Sequence, residues 1–181
     1  MKTGSLRLSG LALVAVVLAT GCTPEPAAES AGSSEAEQGL ADLLPYGREP
    51  WPGILTAGQP TKQDFEMLRD RGVRTVINLR VPSESGTRDE PEWIKELGMA
   101  YISIPVAGAA GVNEETARAL DRALETAERP VLVHCGSSNR VGAVFALRAF
   151  HLEGKSAEDA LEIGRSSGVT RLEDHVRGLL E

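Results

Sequence analysis

Hydrophobic residues along the chain fall into three regimes. The first is a single apolar stretch, Leu11 to Ala19, behind Lys2 and Arg7 and ahead of Thr20-Gly21-Cys22. The second runs from Thr23 to about Leu40 and holds almost no large apolar residue. From about Leu43, short β-type runs alternate with amphipathic helical windows, an order that predicts an α/β domain. Ile54-Leu55-Thr56-Ala57 reads as the first strand. Thr61 then caps a helix that turns Phe65, Leu68 and Met67 inward and closes at Gly72. Arg74 to Leu79 is the next strand, bounded by Gly72 and Pro82, and Val81 to Pro91 is a polar loop. Pro91 suits the first turn of a short helix carrying Trp93, Ile94 and Leu97 and ended by Gly98. Tyr101-Ile102-Ser103-Ile104 forms a strand that Pro105 stops. After the small-residue loop Ala107 to Gly111, Asn113 caps a helix with Glu114 and Glu115 in its first turn, where they suit the dipole. Its inner face carries Ala117, Leu120 and Leu124. Pro130-Val131-Leu132-Val133 is wholly apolar, as a strand covered on both faces must be, and belongs at the centre of the sheet. The helix after Arg140 is apolar nearly all round, from Val141 to Phe150, and is expected to be buried. Ser156 with Asp159 starts another helix, and Thr170 or Leu172 a last one. The fold class expected is α/β, with a central, mostly parallel sheet of about four to five strands flanked by helices.

The first regime is an address rather than a structural element. A basic start, a short apolar core and small residues make a secretory signal. The apolar run is too short for a stable bilayer-spanning helix, which needs roughly 20 residues. Leu18-Ala19-Thr20-Gly21-Cys22 resembles a bacterial lipoprotein lipobox, with Ala19 where Leu is usual. That resemblance implies cleavage before Cys22 and a diacylglycerol thioether on its sulfur. Several acyl chains anchor a protein stably, whereas one does not. The second regime, rich in Ala, Glu, Ser, Gly and Pro, cannot repay the entropy of ordering and reads as a tether. The expected organisation is a signal peptide over 1–21, a flexible acidic linker over 22–45 and one folded domain over 46–181. The expected location is the bacterial periplasm or cell envelope, with a lipid anchor as the membrane contact.

Charge narrows the partners. The 181 residues carry a formal net charge of −7, which argues against nucleic acid as a partner. The same charge repels phosphorylated substrates at long range, so any phosphate site must be locally positive. Aromatic residues make up 4%, leaving the core to Leu, Val, Ile and Ala.

One segment carries distinctive chemistry. Cys135 directly follows the expected central strand, Arg140 opens the buried helix, and Gly136, Ser137, Ser138 and Asn139 lie between. Small residues allow consecutive backbone N–H groups to turn inward as a nest for an anion. The helix N-terminus adds partial positive charge, and a guanidinium grips two oxygens in a fixed fork. The same features favour a thiolate, which makes Cys135 the expected nucleophile. If Cys22 is lipidated, Cys135 has no disulfide partner within its own chain.

Val133-His134-Cys135 through Arg140 resembles the signature of the cysteine-dependent tyrosine and dual-specificity phosphatases. The wider set resembles a bacterial branch of that superfamily, the beta-lactamase-hydrolase-like, dual-specificity-phosphatase-like domain, over roughly residues 46–181. That set comprises Ala57-Gly58-Gln59-Pro60, Val76-Ile77-Asn78-Leu79-Arg80, Ile104-Pro105-Val106 and His134-Cys135 with Asn139-Arg140-Val141-Gly142-Ala143. The resemblance implies a protein tyrosine phosphatase-like fold and hydrolysis of a small phosphorylated substrate, with no cofactor. Cys135 would attack phosphorus, Arg140 and the loop amides would hold the equatorial oxygens, and His134 would orient the loop.

The chain departs from the familiar pattern in three ways. Four residues separate Cys135 from Arg140 where tyrosine phosphatases have five. Val141 stands where a Ser or Thr usually helps the thiolate leave. The loop after Val106, where the general acid Asp usually lies, holds no acid, and an unassisted leaving group loses about 10²–10⁴ in rate. Asp89, Glu90 and Glu114 are the substitutes available, each also readable as a solvated charge. The four-residue interval also matches the active loop of rhodanese-type sulfurtransferases, which need no acid. A third reading is an oxyanion-binding module without turnover. His151 and His175 read as surface or helix-end residues, Gln59 as a turn residue that could reach the site, and Trp51 and Trp93 as packing residues. No His, Cys and carboxylate spacing suggests a metal site.

Overall fold

The computed structural model describes residues 39–181. The signal segment, Cys22 and most of the expected linker lie outside the described residues. A 3-10 turn (Leu40–Leu43) leads into β1 (Arg48–Trp51) and β2 (Ile54–Ala57). Then follow α1 (Lys62–Asp70), β3 (Thr75–Asn78), α2 (Glu90–Glu96), β4 (Ala100–Ser103) and α3 (Glu114–Thr126). The chain ends with β5 (Val131–His134), α4 (Asn139–His151), α5 (Ala157–Ser167) and α6 (Glu173–Leu179).

The five strands form one sheet in the order β1-β2-β5-β3-β4, parallel except for β1. The apolar strand β5 is central, as its composition requires, flanked by β2 and β3. Because strand side chains alternate between faces, neighbours in one strand feed different cores. Ile54, Ile77, Val131 and Val133 join the cluster under α3, α4, α5 and α6. Leu55, Val76 and Leu132 join Phe65, Leu68 and Ile94 of α1 and α2. The helix α4 is buried through nine of its residues, and Gly142 lets it approach the α5 end closely. A Cβ there would lie 2.0 Å from Val169 N and 2.5 Å from Gly164 O. Caps fall where the side-chain chemistry directs: Thr61 and Asn113 form capping boxes, and Ser156 Oγ accepts from Asp159 N.

Two boundaries differ from the sequence reading. The packed domain begins before residue 46, because Ala41 and Leu44 are buried in the α1/α2 core. Strand β1 was not expected, since Arg48-Glu49-Pro50-Trp51 lacks clean alternation; its place on the sheet edge explains how it tolerates proline. The last helix takes Leu172, the second of its two expected starts, as N-cap. The parallel strands end on one edge of the sheet, where open α/β folds bind ligands, and the Cys135 loop leaves from the middle of that edge.

Candidate active site

Cys135 is the first residue beyond the central strand and is 1% exposed. Its N–H donates to Ala57 O at 3.3 Å, extending the β2–β5 ladder by one step. Gln59 N then donates to Gly136 O at 3.3 Å, and Gly58 pairs with Ser137. The loop is therefore stitched to the Gly58-Gln59-Pro60 turn. A Cβ on Gly58 would stand 2.9 Å from the Tyr46 ring and 3.1 Å from Gly136 O, which is why this turn needs glycine.

Ser138 is left-handed, at φ +61, and α4 begins at the next residue. Asn139 and Arg140 are thus helical, and the true loop is Gly136-Ser137-Ser138. Among the described residues, the N–H groups of Gly136 and Ser137 donate to no backbone or side-chain acceptor, and that of Ser138 faces Ala57 O across the Gly58–Ser137 bridge. A left-handed residue entering a helix with free amides is the geometry of an anion nest. Two of the expected phosphate-binding residues turn their side chains to the scaffold. Ser138 Oγ donates to Ser167 O at 3.1 Å. Asn139 Oδ1 accepts from Thr170 N at 2.8 Å and Leu172 N at 3.2 Å. They dock the loop onto the α5–α6 connection and leave anion contact to the backbone.

Arg140 is held by a partner that sequence reasoning missed. Glu84, in the β3–α2 loop, accepts from Arg140 Nη1 at 2.6 Å and from Nη2 at 2.8 Å, and Val106 O accepts from Nη1 at 3.0 Å. A guanidinium has five N–H donors. Both on Nη1 and one on Nη2 are committed, which leaves Nε–H and one Nη2–H. The Nη2 atom lies 3.6 Å from where a Cβ on Gly136 would be, so the free edge of the fork lies against the loop. Glu84 is itself fixed by Arg80 Nε at 3.0 Å and Val81 N at 3.0 Å. Its carboxyl is lowered from the ordinary 4.5 to about 2, chiefly by the hydrogen bond from Arg140, with burial opposing and Arg80 and Val81 adding. The same bond raises Arg140, against burial, and the Cys135 sulfur beside the guanidinium raises it further.

Behind this layer lies a second. Arg80 Nη1 donates to Gln59 Oε1, and Gln59 Nε2 donates to Glu90 Oε2 at 2.7 Å. Glu90 Oε1 accepts from Asn78 Nδ2 at 2.8 Å and lies 3.0 Å from His134 Nε2. Glu90 and His134 are both fully buried. Burial would push the Glu90 carboxyl up, but the bonds from His134, Gln59 and Asn78 outweigh it and the net direction is down. Glu90 is therefore an ionised acceptor under the loop and is not placed to act as a general acid. Gln59 exceeds its expected turn role, since its side chain bridges Arg80 and Glu90.

Of the other two acid candidates, Glu114 pairs with Arg118 on exposed α3, and Asp89 precedes α2 on the surface. A cavity of about 520 Å3 opens beside Arg140, walled by Glu84, Ala107, Gly108, Ala109, Asn139 and Leu172. Glu84, the one carboxyl group in its wall, is ionised at neutral pH. His175, expected as a surface or helix-end residue, is half-buried in α6, and its Nε2 lies 3.0 Å from Ala109 O, at the wall of this cavity.

The comparisons agree with this geometry. A family model described as DSP-PTPase phosphatase fused to NAD+ kinase matches residues 51–171. A beta-lactamase hydrolase-like protein of Xylella fastidiosa is 34% identical over 120 residues, 64% of this chain. The chain spans only 27% of that relative's length. Among solved structures, a DUF442 protein of Shewanella putrefaciens superimposes with a TM-score of 0.61 at 21% identity, over 78% of this chain and 94% of that one. TpbA of P. aeruginosa, solved with phosphotyrosine, gives 0.54 at 24% identity, over 71% of this chain and 83% of that one. At these identities the likeness establishes the fold, which is that of the protein tyrosine phosphatase-like proteins. None of these matches supports the sulfurtransferase alternative. With two thirds of its length inside the family match, the chain belongs to the DSP-PTPase family of phosphatase domains.

Proposed function

We propose that the chain is a cysteine-dependent phosphatase that works through a phosphocysteine intermediate. The observation that carries this reading is the donor count at Arg140. Glu84 and Val106 occupy the outer side of the guanidinium, and the two remaining N–H groups lie together against the loop that starts at Cys135. A phosphoryl group resting on the free amides of Gly136 and Ser137 would meet the sulfur from below and the guanidinium from the side. The Cys135 thiolate attacks phosphorus, the P–O bond to the leaving group breaks, and water later cleaves the P–S bond to release phosphate. The amides and Arg140 stabilise the equatorial charge, and removal of one such donor typically costs about 10²–10³ in rate. His134 and Glu90 act beneath the loop as its support. Arg80 and Arg140 face two ionised carboxylates, Glu84 and Glu90, so the attraction an anion meets comes from the uncommitted N–H groups of Arg140, the loop amides and the N-terminus of α4.

The test is release of phenol from phenyl phosphate by the wild type and by Cys135→Ser. The expected result is turnover in the first and loss of turnover in the second, with a stable phosphoenzyme trapped by acid quench only when Cys135 is present. Equal rates in both proteins would sink the reading.

A further inference from the structure

The β1 side of the loop carries a feature that the phosphocysteine chemistry does not use. Tyr46, Arg48, Ser137, Gly168, Thr170 and Arg171 line a second hollow of about 270 Å3. Glu84 and Val106 come from the β3 and β4 side, so this hollow flanks the loop on the other side of central β5. Ser137 belongs to both the loop and the hollow. Arg48 Nη1 donates to Tyr46 O at 3.0 Å. Among the described residues, neither Arg48 nor Arg171 has a carboxylate within ion-pair reach. Arg48 approaches the loop closely: a Cβ on Gly168 would lie 3.2 Å from Arg48 Nη1 and 2.4 Å from Ser138 Oγ. Two uncompensated guanidiniums beside an anion nest, in a chain of net charge −7, form a locally positive surface where the rest of the molecule is negative.

A separate observation concerns the leaving group. The Ala107–Gly111 loop has no acid, Glu84 is ionised, Glu90 is buried under the loop, and the His175 Nε2 is taken up by Ala109 O at 3.0 Å. A group that departs without a proton must already be a stable anion. An alkoxide is not; a phosphate is.

We propose that the leaving group is itself a phosphate, so that the bond cleaved is a phosphoanhydride, and that Arg48 and Arg171 receive the departing phosphate. This rests on the phosphocysteine reading and names its substrate class. In the first step the Cys135 sulfur forms the P–S bond and the bridging P–O bond breaks. The electron pair stays on the departing phosphate, whose added charge the two guanidiniums meet. In the second step water supplies oxygen to phosphorus, the P–S bond breaks, the thiolate returns and one proton passes to solvent.

The experiment compares inorganic tripolyphosphate, phenyl phosphate and glycerol phosphate as substrates of the full chain, with Cys135→Ser as the blank. The expected order of kcat/KM is tripolyphosphate, then phenyl phosphate, then glycerol phosphate. In the double variant Arg48→Gln with Arg171→Gln, the tripolyphosphate to phenyl phosphate ratio is expected to fall about tenfold or more. Arg171→Glu alone, which sacrifices no hydrogen bond, is expected to lower the same ratio, so the outcome does not depend on how well the Arg48 variant folds. A wild-type ratio of one or less, or a ratio that survives both variants, overturns the proposal. Cleavage of phenyl phosphate alone ends only this inference. Cleavage of neither substrate ends the phosphocysteine reading and this one with it.

Discussion

Glu84 decides at the level of one side chain whether Arg140 is aimed or merely present. An unpaired arginine at the start of a helix samples many rotamers, and a two-point contact with a carboxylate removes that freedom. Glu84→Gln keeps the shape and removes the charge. The expected result is a fall in kcat/KM of about 10²-fold, the size of loss that small misplacements of a catalytic group produce. The linkage is equally specific. The folded state holds this carboxyl near 2 against an ordinary 4.5, so it favours the charged form. Its stabilisation is complete above about 4.5 and disappears as the pH falls through about 2. With the side chain 27% exposed, the contribution is on the order of 2–3 kcal/mol. Urea unfolding between these pH values is expected to show a steeper acid loss in the wild type than in Glu84→Gln. Parallel curves would show that the ion pair contributes nothing to stability. Glu84 was not legible in the sequence because it lies 56 residues from Arg140, inside a loop of ordinary polar composition. Its spacing of four from Arg80 was visible, and is a real pair, but nothing local says that the same carboxylate also serves Arg140.

At the scale of elements, the loop depends on where α4 and the α5–α6 connection meet. Ser138 and Asn139 reach across that seam, and Gly142 sets its depth. Added to Gly142, a methyl group meets backbone atoms, which cannot rotate away. Gly142→Ala raises helix propensity, by up to about 1 kcal/mol in an isolated helix. Overpacking works the other way and costs roughly 1–3 kcal/mol or more in a tight interior. The expected net result is a lower melting temperature and a faster alkylation of Cys135, because the loop loses its backing. A variant as stable as the wild type would mean that α4 and α5 can separate freely. The elements themselves were largely readable: the caps at Thr61, Asn113 and Ser156, the buried β5 and the all-round apolar α4 follow from local side-chain chemistry. Strand β1 was not readable, because an edge strand with one paired side needs neither alternation nor β-branched residues.

For the whole molecule, the open question of location belongs to the N-terminal 38 residues rather than to the domain. We propose that Cys22 carries lipid and that the domain faces the cell envelope on a tether. Metabolic labelling of the full chain with radioactive palmitate is expected to mark the wild type and not Cys22→Ala. Label that persists in the variant would remove the anchor. Sheet order placed three loops from β2, β3 and β4 around the loop from β5, and this is what turned scattered residues into one site. Gln59 follows β2, Arg80 and Glu84 lie in the loop after β3 and Glu90 opens α2, and they connect because β2 and β3 flank β5 and end at the same edge.

The chain alone determined the α/β class, the central strand, the helix caps and the identity of the Cys135 and Arg140 loop, because each depends on residues close together in sequence. Tertiary structure decided which donors of Arg140 stay free, that Glu90 is a buried acceptor rather than an acid, and that Ser138 and Asn139 bind scaffold with their side chains. Those outcomes depend on which groups pair across the fold, and pairing over tens of residues is set by strand order and helix packing, which local pattern does not encode.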